Sequence, residues 1–264
     1  MKIVIDMKKS LRSSASDYYG RAKVARRKRE RLTEEIKRTE ALLKGAEQKK
    51  GSKKRVRIKK EKKWYQRFHY FFTSNSLLVI AGKDAKQNDK IFSTYLEEGD
   101  LFFHADIHGA PVTVLKDAGK AEEIDKFEAA QFAAAYSKAW QQGYSSADVY
   151  FVKKQQVSKY ESGKYVGKGA FVIKGKRGWF KDVPLKLTIY LDTGSKEVRV
   201  SPGTKEVTPS VTIVPGSKSK HEIASKILDL FTASHEVGET ISEDDVLLVL
   251  PPGKSEIESV RAKP

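Results

Sequence analysis

The chain has no cysteine. Disulfides, Cys-ligated zinc, iron–sulfur clusters and thiol nucleophiles are therefore excluded. No run of about 18 apolar residues occurs, so no membrane span and no membrane partner is expected. The opening stretch, Met1–Lys9, has too short an apolar core for a signal peptide. Together these absences lead us to expect a cytoplasmic protein. Asn occurs only at Asn75 and Asn88 and Met only twice, while Lys and Glu abound, a bias seen in heat-adapted proteins. The P-loop spacing is missing, as is a Gly-x-Gly-x-x-Gly after a strand. No Gly-x-Ser-x-Gly and no lysine within an apolar run supplies a strong nucleophile. We expect no cofactor, no metal and no catalytic role.

What the chain has in excess is positive charge, and its placement matters more than its size. The 264 residues carry a formal charge of +17. Residues 1–67 hold 25 Lys+Arg and 8 Asp+Glu, while residues 68–264 hold 26 of each. The first quarter thus supplies the whole excess, a local field that suits a polyanion such as nucleic acid. A second basic stretch, 153–181, has nine Lys/Arg and one acid.

The length allows one large domain or two small ones. Residues 2–6 read as a short strand or tail. Leu11, Ala15, Tyr18, Ala22, Ala25, Arg29, Leu32, Ile36, Thr39, Leu43 and Ala46 then fall at four-three spacing, a narrow coiled-coil seam over roughly 54 Å. Lys53–Lys63 can begin a shorter return. The seam therefore needs a further partner, either a second copy or the rest of a longer protein. Arg26-Arg27-Lys28-Arg29 and the basic 49–63 run, with Lys59 and Lys60, are candidate phosphate contacts; a solvated coiled-coil face is the plainer reading.

Trp64–Phe72 is dense in aromatics. A hairpin turning at Ser74-Asn75-Ser76 is expected, its aromatics mostly core, with Trp64 or Tyr65 the candidates for base stacking. Asp84 is placed to cap a helix running to about Leu96. Lys83, Gln87 and Asn88 would then stand at its N-terminal end, where backbone N–H groups favour an anion. A helix is expected over Glu122–Gln142 and a strand over Asp148–Lys153. In 156–181, Lys and Arg alternate with Tyr, Phe and Trp on Gly-rich turns, which suits a phosphate backbone and unstacked bases. The tail, 182–264, reads as a strand meander followed by helices at His221–Ser234 and Ser242–Leu250, with no chemistry of its own.

The centre is 99–116, a strand, a turn and a second strand. At period two, Leu101, Phe103 and Ala105 take one face while Phe102, His104 and Asp106 take the other. His104, Asp106 and His108 could in principle ligate zinc or manganese, work as an acid–base set, or serve an RNA nuclease. Gly109-Ala110-Pro111 turns the chain at His108, which breaks the shared face. The reading that leads is a polar corner in which His104 and Asp106 hydrogen-bond the Gly109 turn and hold it rigid.

Six stretches resemble, in order, the NFACT-R domain, the RNA-binding module of the RqcH and nuclear export mediator factor family of ribosome quality-control proteins. They are Trp64–Phe72, Gly82–Asn88, Gly99–Ala110, Tyr136–Trp140, Gln156–Lys159 and Gly169–Arg177. The basic heptad arm resembles the end of that family's coiled-coil region. The resemblance implies an α/β (α+β) domain, a mixed sheet with packed helices, over 64–264, preceded by a helical arm over 1–63. It further implies binding to large-subunit ribosomal RNA or tRNA on stalled ribosomes. The family's N-terminal and helix-hairpin-helix regions have no counterpart here, so C-terminal tailing is not assigned. The chain is expected to be the end of a longer factor or a short stand-alone member. Ala170 stands where relatives carry Ser. The residues expected to touch RNA are Arg26, Arg27, Lys28, Arg29, Lys59, Lys60, Lys83, Asp84, Gln87, Asn88, His104, Asp106, His108, Ser158, Lys159, Lys174, Lys176 and Arg177. The alternatives are a His- or metal-dependent nuclease and a coiled-coil assembly protein.

Overall fold

The computed structural model describes residues 10–48, 63–161, 164–192, 194–233 and 241–261. The chain divides into two units, Met1–Glu61 and Lys62–Pro264. In the first, the four-three pattern forms one helix, α1 (Leu11–Gln48). Its 38 residues span about 57 Å. Tyr18, Leu32 and Ile36 of the seam are exposed, as are Arg26–Arg29. Arg26 pairs with Glu30 one turn on, at 3.3 Å between exposed side chains. The strand expected at 2–6, Lys59, Lys60 and the rest of the expected return up to residue 62 lie outside the described residues.

The second unit opens with a 3-10 turn, Trp64–Arg67, and the hairpin β1 (His69–Phe72) and β2 (Leu78–Ala81). Asn75 in the turn bonds the Asp125 carboxylate, with Nδ2 to Oδ2 at 2.9 Å. Next come α2 (Ala85–Lys90), a π-helical turn (Ile91–Tyr95), β3 (Leu101–Ala105) and β4 (Thr113–Leu115). The helix expected to run to Leu96 is therefore widened at its end, where Leu96 N donates to Ile91 O at 2.9 Å. The single helix expected over Glu122–Gln142 is two: α3 (Glu123–Ala135) and α4 (Lys138–Gln141). Ser137 makes the break. Its hydroxyl donates to Ala134 O at 2.7 Å and accepts from Ala139 N at 3.1 Å, which ends one helix and caps the next.

The strands continue with β5 (Ser146–Lys153), β6 (Val157–Ser158), β7 (Tyr160–Glu161), β8 (Lys164–Tyr165), β9 (Val172–Ile173) and β10 (Gly178–Pro184). The C-terminal part holds β11 (Leu187–Asp192), β12 (Glu197–Pro202), β13 (Ser210–Lys218), α5 (Lys220–Ala233), α6 (Glu243–Val249) and a final strand, β14 (Ser255–Arg261). Six strands form one sheet in the order β1-β2-β4-β3-β5-β10, and four form a second, β12-β11-β13-β14. Every pairing among the described residues is antiparallel.

Two cores flank the larger sheet. Phe71, Val79, Phe103, Ala105 and Leu115 pack with the alanine-rich face of α3, with Trp140, and with Leu187, Ile189, Ile227 and Phe231 of the C-terminal part. The small residues Ala129, Ala130, Ala133, Ala134 and Ala135 let α3 lie close against the strands. On the opposite face, Phe68, Ile80, Ile91, Leu96, Phe102, Val114, Tyr150, Val152 and Val157 form a smaller core. The alternation in β3 therefore holds, but both of its faces are covered. Phe102 is fully buried, and such burial contributes about 1.5–3 kcal/mol. Only His104, partly buried, and Asp106, exposed, approach solvent beyond it.

Candidate nucleic-acid interface

The start of α2 spends its polar groups locally. Asp84 Oδ1 accepts from Gln87 N at 2.8 Å, and Gln87 Oε1 accepts from Lys83 N at 3.1 Å. A carboxylate thus already stands where the sequence suggested an anion. Asn88 is buried, and its Oδ1 accepts from Val112 N at 3.1 Å, tying α2 to the β3–β4 corner.

The basic segment clips onto this helix. Lys159 is 7% exposed; its ammonium pairs with Asp89 and donates to Ala170 O at 2.8 Å. It also lies 3.9 Å from the centroid of the Phe171 ring. Gly169 N donates to the same Asp89 oxygen at 3.1 Å. Gly169 has φ +76°, and a Cβ there would come 2.8 Å from that of Ala85, so glycine lets the segment approach α2. Gln156 Nε2 donates to the carbonyls of Lys174 and Lys176 at 3.0 and 2.8 Å, which holds two exposed lysines in one turn. Ser158 is absorbed in its own turn, accepting from Tyr160 N at 3.0 Å.

At the β3–β4 corner the backbone does the holding. Ile107 N donates to Ala105 O at 2.7 Å, and Asp106 N to Asp148 O at 2.8 Å. His104 Nδ1 is buried with no hydrogen-bond partner. Burial lowers its pKa, against the carbonyls of Ala105 and Ala110 and the charge of Asp106, which favour the imidazolium. His108 is exposed. Among the described residues, no group of three His, Asp or Glu side chains is placed to hold a metal ion.

Across the sheet from His104 runs a row that sequence reasoning did not find. His104 pairs with Tyr150 of β5, and Tyr150 with Trp179 of β10. The ring centroids are 5.7 Å apart in the first pair and 5.5 Å in the second. The Arg177 guanidinium sits 4.6 Å above the Tyr150 ring, and Lys181 Nζ 4.2 Å above the Trp179 ring. Lys181 is also held by Asp148 at 2.6 Å. Trp179 is 38% exposed and lies on the sheet's edge strand. A partly exposed indole flanked by cations is what stacks an unpaired base beside its phosphate. Of the two residues expected to stack, Trp64 has Tyr95 against one face at 4.7 Å and 5°, and Tyr65 packs against Tyr70 at 4.9 Å and Phe72 at 5.7 Å.

A second histidine is half-buried. His69 stacks on Tyr136 at 4.1 Å. Burial first, then the charges of Lys83 and Lys220, pull its pKa to about 3. The unfolded chain would bind a proton near pH 6.5 that the folded one refuses. Stability is therefore full above about pH 6.5 and declines as pH falls toward 3, at up to about 1.4 kcal/mol per pH unit for this one proton. Denaturant melts from pH 7 to 4 should show that slope in the wild type and a shallower one in His69→Gln.

Residues 67–175 match the family described as the NFACT protein RNA binding domain. They belong to the NFACT-R family. Over 210 residues the chain is 40% identical to the archaeal Rqc2 homolog aRqcH of Methanocaldococcus jannaschii, covering 76% of this chain and 30% of that protein. It is 32% identical over 197 residues to the ribosome quality control complex subunit NEMF homolog of Drosophila melanogaster, covering 71% of this chain and 20% of that one. NEMF itself, from Mus musculus, is 32% identical over 222 residues, covering 76% and 20%. The chain thus spans between a fifth and a third of the length of these relatives. The NFACT-R match contains α2, the β3–β4 corner and the clip at Lys159. It ends at residue 175, so Arg177, Trp179 and Lys181 stand beyond it, joined by the pairing of β10 with β5. Ala170 has an exposed side chain, and its carbonyl accepts from Lys159.

Proposed function

We propose that this chain is an RNA-binding module of a cytoplasmic ribosome quality-control factor, contacting large-subunit ribosomal RNA or tRNA on stalled ribosomes. Support comes from the NFACT-R match and from relatives named as ribosome quality control subunits. The observation that carries it is the cation-flanked row His104–Tyr150–Trp179, with the exposed Lys174 and Lys176 in the turn that leads into Arg177. In this reading Arg177, Lys174, Lys176 and Lys181 contact phosphates and Trp179 stacks a base. Asp106 and His108 border the row and add polar contacts from the corner. Asp84, Gln87, Asn88, Ser158 and Lys159 position the surface rather than touch RNA. Arg26–Arg29 supply phosphate contacts from the arm, and Lys59 and Lys60 extend them.

Gel shifts with tRNA, isolated large subunits and a plain RNA duplex test the target. Tighter binding to subunits or tRNA than to the duplex is expected; equal binding to all three would remove the ribosomal part. RNA incubated with the protein, with and without EDTA, should stay intact. Cleavage abolished by His104→Ala with binding retained would replace this reading with a nuclease. The exposed middle of the α1 seam, Tyr18 to Ile36, is assigned to a partner helix, and light scattering across concentration tests whether a second copy provides it. A dimer is the expected result at high micromolar chain; a strictly monomeric mass would leave the seam to another part of a longer protein.

A further inference from the structure

A cavity of about 450 Å³ lies beyond the C-terminal end of β2, between the β3–β4 corner and α4 to α6. Lys83, Lys138, Lys220, His69, Tyr136 and Gly109 line it, with Leu247 and Leu248 on an apolar side. Among the described residues, no Asp or Glu lines it.

The wall is built by long-range contacts. Tyr136 at the end of α3 stacks on His69, and its hydroxyl donates to the carbonyl of Val249. Gly109 has φ +83°, and a Cβ there would come 2.6 Å from Lys138 Cε, so glycine at the corner makes room for the lysine stem. Lys220 Nζ donates to Leu250 O at 3.1 Å, which places its charge at the rim of α6. Burial lowers the pKa of Lys220, and the charges of Lys83 and Lys220 add to burial in lowering that of His69. The His69 shift marks a positive field, the Lys220 shift a partly desolvated ammonium, and together they describe a wall where an oxyanion is attracted.

We propose that this cavity binds the phosphate group of a nucleotide. Lys138 and Lys220 neutralise the phosphate, with Lys83 adding to the field. The neutral His69 ring offers a hydrogen bond, and Leu247 and Leu248 face the attached sugar or base. The site is separate from the Trp179 row and does not depend on it. The phosphate can come from an RNA end or from a free mononucleotide.

The test follows the ring resonances of His69 by NMR in the whole chain, which has only five histidines. The probes are inorganic phosphate, AMP and a short RNA with either a 5′-phosphate or a 5′-hydroxyl, all at ionic strength matched with KCl. Phosphate and AMP should shift His69 saturably where KCl does not. Lys138→Gln alone, and with Lys220→Gln, should weaken AMP by about tenfold or more, and Lys138→Arg should recover most of that loss. Competition with AMP by the 5′-phosphorylated RNA but not its hydroxyl form assigns the source to an RNA end; no competition by either assigns it to a free nucleotide. Trp179→Ala should leave AMP binding unchanged even if RNA binding collapses. Equal shifts with KCl, or undiminished AMP affinity in a folded Lys138→Gln/Lys220→Gln chain, would overturn the proposal.

Discussion

Trp179→Ala should weaken binding of tRNA or large subunits by about 5- to 150-fold, because stacking a base on an aromatic ring contributes about 1–3 kcal/mol. The same change should barely move the melting temperature. Trp179 is 38% exposed on an edge strand, and it is Phe180 and Val183 of β10 that pack toward the larger core. Arg177→Ala should add a loss of its own, since it removes a phosphate contact and the cation over Tyr150. The two losses should not simply sum, because both groups touch the Tyr150 ring. Filter binding with a parallel thermal melt reads both quantities. Native stability with unchanged affinity in Trp179→Ala would remove the row from the interface.

Lys159→Met should cost about 2–3 kcal/mol of stability. Breaking a buried ion pair typically costs about 3–5 kcal/mol, because the remaining charge is left without its partner. The lower figure applies here because Asp89 is 28% exposed and keeps some solvent. For a unit of this size, that corresponds to a fall of roughly 5–10 °C in melting temperature. Hydrogen exchange should speed up most at Gly169, whose N–H bonds the same Asp89 oxygen. A double-mutant cycle with Asp89→Asn isolates the pair. The cycle also separates two roles for Lys159. As a clip, it loses stability and little RNA affinity in the folded fraction. As a phosphate contact, it would lose affinity at unchanged stability.

What could be read in the sequence was local. The four-three seam formed α1, the Ser74-Asn75-Ser76 turn closed the first hairpin, and Asp84 capped α2, because each depends on residues a few positions apart. The alternation in β3 was legible too. The cover over Phe102 was not, since the π-helical turn after α2 and the 157–173 segment reach it from distant parts of the chain. The same limit explains Lys159. By composition it is one more basic residue in a charged loop, and its ion pair is with Asp89, 70 positions away. Trp179 meets Tyr150 through a strand pairing across nearly thirty residues, which no period in either strand reveals. Ser137 could have been found: a serine in an alanine-rich helix, just after an aromatic, is a local cap signal. The strand β14 follows Pro251-Pro252-Gly253 and reads as tail until β13 is there to pair with it.

The proposed surface binds RNA through phosphates as well as a stacked base. The most direct test is the affinity for tRNA or large subunits measured from about 50 to 200 mM KCl. Each phosphate contact contributes about −0.9 to the slope of log K against log salt, or about −0.7 on single strands. A slope of about −3 or steeper is expected, with submicromolar affinity at the low-salt end, and Lys174→Ala/Lys176→Ala/Arg177→Ala should make it shallower by about 2–3. A flat salt dependence, or affinity no better than micromolar at low salt, would contradict the account.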